Sequence, residues 1–96
     1  MIALIVYDIS DDDNRNKLAD YLKSRGFTRI QRSVFVGRPL SNVMADVERS
    51  LNRFIKDSTD VIHVFSIPEI YLRNVRVYGR PWSSMPSLGR EILVIR

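Results

Sequence analysis

Residues 4–13 are LIVYDISDDD. The stretch begins apolar and ends acidic. The apolar run opens at Ile2, holds through Tyr7 and stops at Asp8, with Ile9 and Ser10 before Asp11, Asp12 and Asp13. An unbroken β-branched run with no polar alternation predicts a strand buried on both faces. The acids behind it predict a helix start. Any of the three is a candidate N-cap, and the others complement the positive end of the helix dipole. A strand that feeds a capped helix opens a β-α unit, and this sets the frame for the rest of the chain.

Outward from that unit, Leu18, Tyr21 and Leu22 recur at helical spacing and Gly26 is placed to close the helix, so a helix is expected over roughly 13–25. Residues 27–36 return to strand character through Ile30, Val34, Phe35 and Val36. Gln31, Arg32 and Ser33 interrupt the pattern, giving one bent strand or two short ones. Gly37, Arg38 and Pro39 end it. Ser41 is a candidate N-cap for a second helix that carries Met44, Val47, Leu51, Phe54 and Ile55 on one face and ends near Asp57. Residues 61–67 form a strand stopped by Pro68, residues 74–78 another, and residues 91–95 a last short one. PWSSMPSLG, residues 81–89, is a loop by composition.

Strands alternating with two helices in under 100 residues predict an α+β fold, a ferredoxin-like βαββαβ sandwich with an extra C-terminal strand. We expect one domain over residues 1–96, its core in about 1–80 and an extension in 81–96. Two helices cover only one face of such a sheet. The first strand is apolar on both, and the cheapest cover for the second face is another copy, so a symmetric homodimer is expected.

Composition narrows the function. Apolar residues are 45% and charged residues 27%, ordinary for a folded domain. There is no cysteine, hence no disulfide framework and no thiolate metal site. The N-terminal apolar run is far short of the ~20 residues that span a bilayer and lacks the flanks of a signal peptide, so a soluble, cytoplasmic protein without membrane association is expected. The net charge is +4, and arginine outnumbers lysine twelve to three. Residues 15–38 hold seven basic side chains against one acid, and residues 73–96 hold five against one. The planar arginine fork suits phosphate, so two arginine-rich stretches point to nucleic acid.

Asp8 is the leading site candidate, because a strand end fixes a side chain while the loop beyond it admits substrate. Mg²⁺ needs one or two protein carboxylates and takes water and phosphate for the rest. In a dimer whose axis passes near the strand end, Asp8 meets its own copy and two carboxylates result. The plainer reading of Asp8 is a strand-ending turn residue. Capping accounts for Asp11, Asp12 and Asp13. Arg15 and Lys17 stand in the first turns of the helix, where they either hold phosphates or pair with the acids. Arg76 and Tyr78 share one strand face, Arg80 joins them if the geometry continues, and Trp82 follows; a basic and aromatic stripe can grip phosphates and stack bases. His63, the one histidine, is expected to be a structural strand residue.

With these residues in view, the chain resembles the small CRISPR-associated protein 2 family. The likeness is carried by Tyr7–Asp8–Ile9–Ser10 at the end of an apolar strand, by a helix opening with Arg15 and Lys17 and closing at Gly26–Phe27, and by RIQRSVFVG at residues 29–37. It covers residues 1–57 well. One departure is Val36, where many members carry Glu. The resemblance implies a metal-dependent endonuclease acting on single-stranded RNA or double-stranded DNA. It also implies a central dimer for the CRISPR integrase, CRISPR-associated protein 1. It implies Asp8 as the residue binding Mg²⁺, with Mn²⁺ as an alternative, and catalytic support from Tyr7, Arg15, Lys17, Arg29, Ser33 and Phe35. Arg15, Lys17, Arg29, Arg32, Arg76 and Arg80 are the expected nucleic-acid contacts. Competing readings are a noncatalytic DNA-binding scaffold, a toxin-like messenger-RNA-cleaving relative and a plain RNA-binding module.

Overall fold

The computed structural model describes residues 1–80 and the backbone of residues 93–95. The elements are β1 (Ile2–Asp8), α1 (Asp12–Ser24), β2 (Thr28–Gln31), β3 (Val34–Gly37), α2 (Ser41–Leu51), β4 (Val61–Ile67), α3 (Glu69–Arg73), β5 (Arg76–Tyr78) and β6 (Leu93–Ile95). The first four strands form an antiparallel sheet in the order β2-β3-β1-β4. That is the ferredoxin-like arrangement the element order predicts, with β1 in the middle and a helix crossing over after β1 and after β3.

β1 is apolar on both faces, and the structure shows why. Ala3, Ile5 and Tyr7 point to the helices and join Phe35, Leu18, Leu22 and Val47 in the main core. Ile2 and Leu4 point the other way and pack with Val36, Ile30 and Ile67 beneath Leu72 of α3. Fully burying a side chain such as Ile5, Leu18 or Phe35 stabilises by about 1.5–3 kcal/mol, so the helix face holds most of the folding energy. α1 is closed at both ends. The Asp11 carboxylate accepts from the Asn14 amide at 2.8 Å. At the other end Gly26 adopts φ +90°, with Gly26 N–H to Lys23 C=O at 3.1 Å and Phe27 N–H to Leu22 C=O at 3.0 Å. These two bonds make a Schellman motif, and the positive φ requires glycine.

Of the two forms expected for residues 27–36, the structure takes two short strands joined by a tight turn, with a bulge between Arg29 and Gln31. Several other expectations are corrected. Ser41 is the first residue of α2 and not its cap; Leu40 takes that place with no side-chain bond. α2 ends at Leu51 and not near Asp57. A 3-10 turn, Asn52–Phe54, follows, in which Ile55 N–H bonds to Asn52 C=O at 3.2 Å. The helical spacing of Phe54 misleads because its ring is held by Tyr21, centroid to centroid 5.7 Å, and its carbonyl by the buried Asn14 side chain at 2.7 Å. α3 went unseen, because five residues are too short to show a period. Its Leu72 is buried on the sheet, and Glu69 pairs with Arg38 at 2.7 Å, tying α3 to the end of β3. The strand expected over 74–78 begins at Arg76, and the last strand is Leu93–Ile95. These two pair in parallel with each other, in a sheet of their own. Trp82 and the loop expected over 81–89 lie outside the described residues.

Among the described residues no helix is long and apolar enough to cross a membrane. α3 covers only one end of the second sheet face. Towards the Asp8 end that face is open among the described residues: Val61 is 38% and Phe65 48% exposed, and exposed His63 stacks on Phe65 at 6.1 Å.

Candidate functional site

Strand alternation puts Asp8 on the open face, opposite to Tyr7. Asp8 is the last residue of β1, pairs with Val61 of β4 and is exposed. The β1–β3 ladder stops earlier, at Val6 and Val34, and the Tyr7 amide then donates to Ser33 C=O at 3.1 Å. The rim around Asp8 is therefore made of the loop 9–11, the start of α1, the β2–β3 turn at 32–33 and the turn 57–60.

The predicted residues divide into three groups. Asp8, Arg15, Arg32 and Ser33 gather on this rim. Arg15 is held there by two acceptors, Ile9 C=O at 3.0 Å and the Asp12 carboxylate. Ser33 acts through its backbone carbonyl, and Arg32 is exposed in the turn. Lys17 lies two residues further along α1, about half a turn on and so on another side of the helix, exposed and 3.3 Å from Asp13.

Tyr7, Phe35 and Arg29 are on the helix side. Phe35 is fully buried and Tyr7 is 4% exposed; their rings stack at 6.1 Å, with the Arg29 guanidinium 5.2 Å from the centre of Phe35. These two rings reach neither solvent nor the face of Asp8, so only a supporting role under the strand end is open to them. Arg76 and Arg80 are exposed, as is Tyr78, while Val77 is half-buried, which matches the expected alternation. They follow α3 in the chain and belong to the separate β5–β6 sheet, not to the four-stranded sheet that carries Asp8.

The acids behind the strand serve the helix. Asp11 caps, Asp12 pairs with Arg15 and Asp13 with Lys17. Asp8 is thus the acid left for other work. Among the described residues no three carboxylate or imidazole groups converge on a metal-sized site. One chain supplies one carboxylate, which suits a cation that takes its other ligands from water, phosphate and a second copy. Val36 pairs with Leu4, four residues down β1 from Asp8, about 13 Å away at strand rise. It is 2% exposed beneath Leu72. Val36 thus lies away from the Asp8 rim, in the packing beneath α3.

Two residues escaped sequence reasoning. Asn14 is buried and joins α1 to the 3-10 turn. Asp60 accepts four hydrogen bonds, from the Ser10 amide at 2.9 Å, the Ser10 hydroxyl at 3.0 Å, and the Lys56 and Asp57 amides at 3.1 and 3.0 Å. These donors, the Ser10 amide foremost, pull its pKa down to about 2. A signal for Asp60 existed in its place before a strand, where Asx turns are common, but its partner Ser10 is 50 residues away.

Residues 1–75 match the family described as CRISPR associated protein Cas2. The chain is 43% identical over 67 residues to CRISPR-associated endoribonuclease Cas2 2 of Pyrobaculum aerophilum, covering 70% of this chain and 74% of that protein. It is 33% identical over 82 residues to a CRISPR-associated endonuclease Cas1/endonuclease Cas2 fusion of Thermoproteus tenax, covering 84% of this chain and 31% of the fusion. In fold it is similar to the crystal structure of Streptococcus pyogenes Cas2, with a TM-score of 0.69 at 24% identity, over 82% of this chain and all of that one. With a strand-end aspartate on a ferredoxin-like sheet and a match across three quarters of its length, the chain belongs to the CRISPR associated protein Cas2 family.

Proposed function

We propose that the protein is a cytoplasmic, homodimeric, Mg²⁺-dependent endonuclease of CRISPR adaptation that cleaves phosphodiester bonds, with single-stranded RNA as the first substrate to test and double-stranded DNA as the second. The observation that carries this is the position of Asp8: exposed, at a strand end, on the open apolar half of the sheet. A second copy laid over Val61, His63 and Phe65 covers that apolar surface and brings its own Asp8 to the same rim. The paired Asp8 carboxylates would hold Mg²⁺ or Mn²⁺, which when bound would supply Lewis-acid chemistry at the phosphate and a more acidic water. Arg32 in the turn and Arg15 at the helix start flank the rim and grip neighbouring phosphates, with Lys17, Arg29, Arg76 and Arg80 adding nonspecific affinity. Tyr7 and Phe35 brace the strand from beneath.

The endoribonuclease names of relatives favour RNA, and the Thermoproteus fusion favours association with Cas1. That fusion also favours a second reading, in which the dimer is a noncatalytic scaffold that guides DNA for the integrase. The experiment that separates them is cleavage of labelled single-stranded RNA and double-stranded DNA, with Mg²⁺ and with EDTA, by wild type and Asp8→Ala. The nuclease reading expects cleavage that requires both Mg²⁺ and Asp8. Cleavage that survives Asp8→Ala, or none from pure dimeric wild type, overturns it.

A further inference from the structure

Asp60 lies in the rim turn and the function proposed above gives it no role, yet its bonds converge on the strand end that presents Asp8. We propose that Asp60 is the positioning residue of the Asp8 site: it ties the backbone two residues past Asp8 to the turn that precedes Val61, the strand partner of Asp8, and so sets where that carboxylate points. This rests on the reading of Asp8 as the metal-holding residue.

The two oxygens of Asp60 serve two segments. Oδ2 accepts the Lys56 and Asp57 amides and closes the turn before β4. Oδ1 accepts the Ser10 amide and hydroxyl, in the loop after β1. A turn cap needs only the first pair. The second pair crosses to a segment 50 residues away, two residues past Asp8. Asp60 also directly precedes Val61, the register partner of Asp8. Asp8, Ile9, Ser10, Asp60 and Val61 thus form a closed ring, sealed on one side by strand pairing and on the other by the carboxylate.

Asp8 needs such a seal. The β3 side of the ladder ends at Val6, so past the Tyr7 amide β1 is held as a strand by β4 alone. Terminal residues of a strand fray unless tied down. Ile9 is anchored by burial and by Arg15 on its carbonyl, and Asp60 completes the set at Ser10. Charge-assisted bonds to an ionised carboxylate are shorter and stronger than neutral ones. Where two copies of Asp8 share one cation, each copy's error in position falls on the same site.

The test is Mn²⁺ binding by the full-length chain without nucleic acid, read from the electron paramagnetic resonance of free aqueous Mn²⁺. Wild type is compared with Asp60→Asn, with Asp8→Asn, and with Asp20→Asn, an exposed acid on α1 that controls for net charge. Asparagine keeps the shape of Asp60 but offers one acceptor oxygen in place of two. Groups that orient a metal ligand are typically worth roughly 10–100-fold in affinity, and one acting through the backbone belongs at the low end. Asp60→Asn is therefore expected to weaken the Asp8-dependent binding about tenfold, with Asp20→Asn unchanged. Ser10→Ala, which loses the hydroxyl bond and keeps the amide bond, is expected to shift binding the same way by less. It carries the test if Asp60→Asn fails to fold by circular dichroism. Asp60→Asn, or Ser10→Ala in its place, binding Mn²⁺ as wild type does while Asp8→Asn loses it overturns the positioning role and leaves the Asp8 reading intact. Asp8→Asn binding as wild type does overturns both.

Discussion

Replacing Tyr7 by Phe is expected to stabilise the protein. The Tyr7 hydroxyl is buried and has no hydrogen-bond partner among the described residues. The residue is 4% exposed and stacked on Phe35 beneath the helices. A buried polar group without a partner costs about 1–3 kcal/mol, and the phenylalanine ring keeps the packing while removing that cost. For a domain of this size each kcal/mol moves the melting temperature by about 4–8 °C. The expected change is thus a rise of several degrees, or a higher urea midpoint with an unchanged slope. Both proteins must be measured at one protomer concentration, because dimerisation adds its own stabilisation. A second copy on the open face does not alter the expectation, since Tyr7 points to the helices. A lower midpoint for Tyr7→Phe would refute the reasoning, because the hydroxyl would then be hydrogen-bonded inside the core. The same variant separates two kinds of support for Asp8. If the ring alone braces the strand, cleavage by Tyr7→Phe equals that of wild type.

Gly26→Ala is expected to destabilise by about 1 kcal/mol at φ +90°, although nothing crowds the added methyl, and chemical denaturation reads it directly. Asp60 has a folded pKa near 2 against an ordinary 3.8, so its stabilisation is complete above the higher value and is lost as pH falls towards the lower. Urea midpoints between pH 4 and 2 should therefore fall more steeply for wild type than for Asp60→Asn; parallel curves would remove the bonds to Ser10 from the account.

Asp8 was legible because a strand end and a change of polarity coincide there, and both are local signals. The helix that follows was legible at both ends, from three acids in front and Gly26 behind. Neither the end of α2 nor α3 could be found this way. Phe54 keeps helical spacing, but a ring on Tyr21 and a bond from Asn14 hold it outside the helix. α3 is one and a half turns long, and its only strong reason to form is the sheet surface beneath Leu72.

The sites divide the same way. Helix position made Arg15 and Lys17 candidates and the family resemblance added Arg29, yet only the fold tells Arg32 on the open rim from Arg29 over a buried ring. The sequence alone determined the order of the elements apart from α3, the two-faced apolar β1 and the aspartate at its end, since each follows from neighbours within one or two turns of chain. Tertiary structure alone decided that Tyr7 and Phe35 are core, that Val36 lies under α3, and that Asp60 closes on Ser10. Those outcomes depend on contacts between residues 28 to 50 positions apart, which hydrophobic pattern does not encode and which exist only once the sheet has set its register.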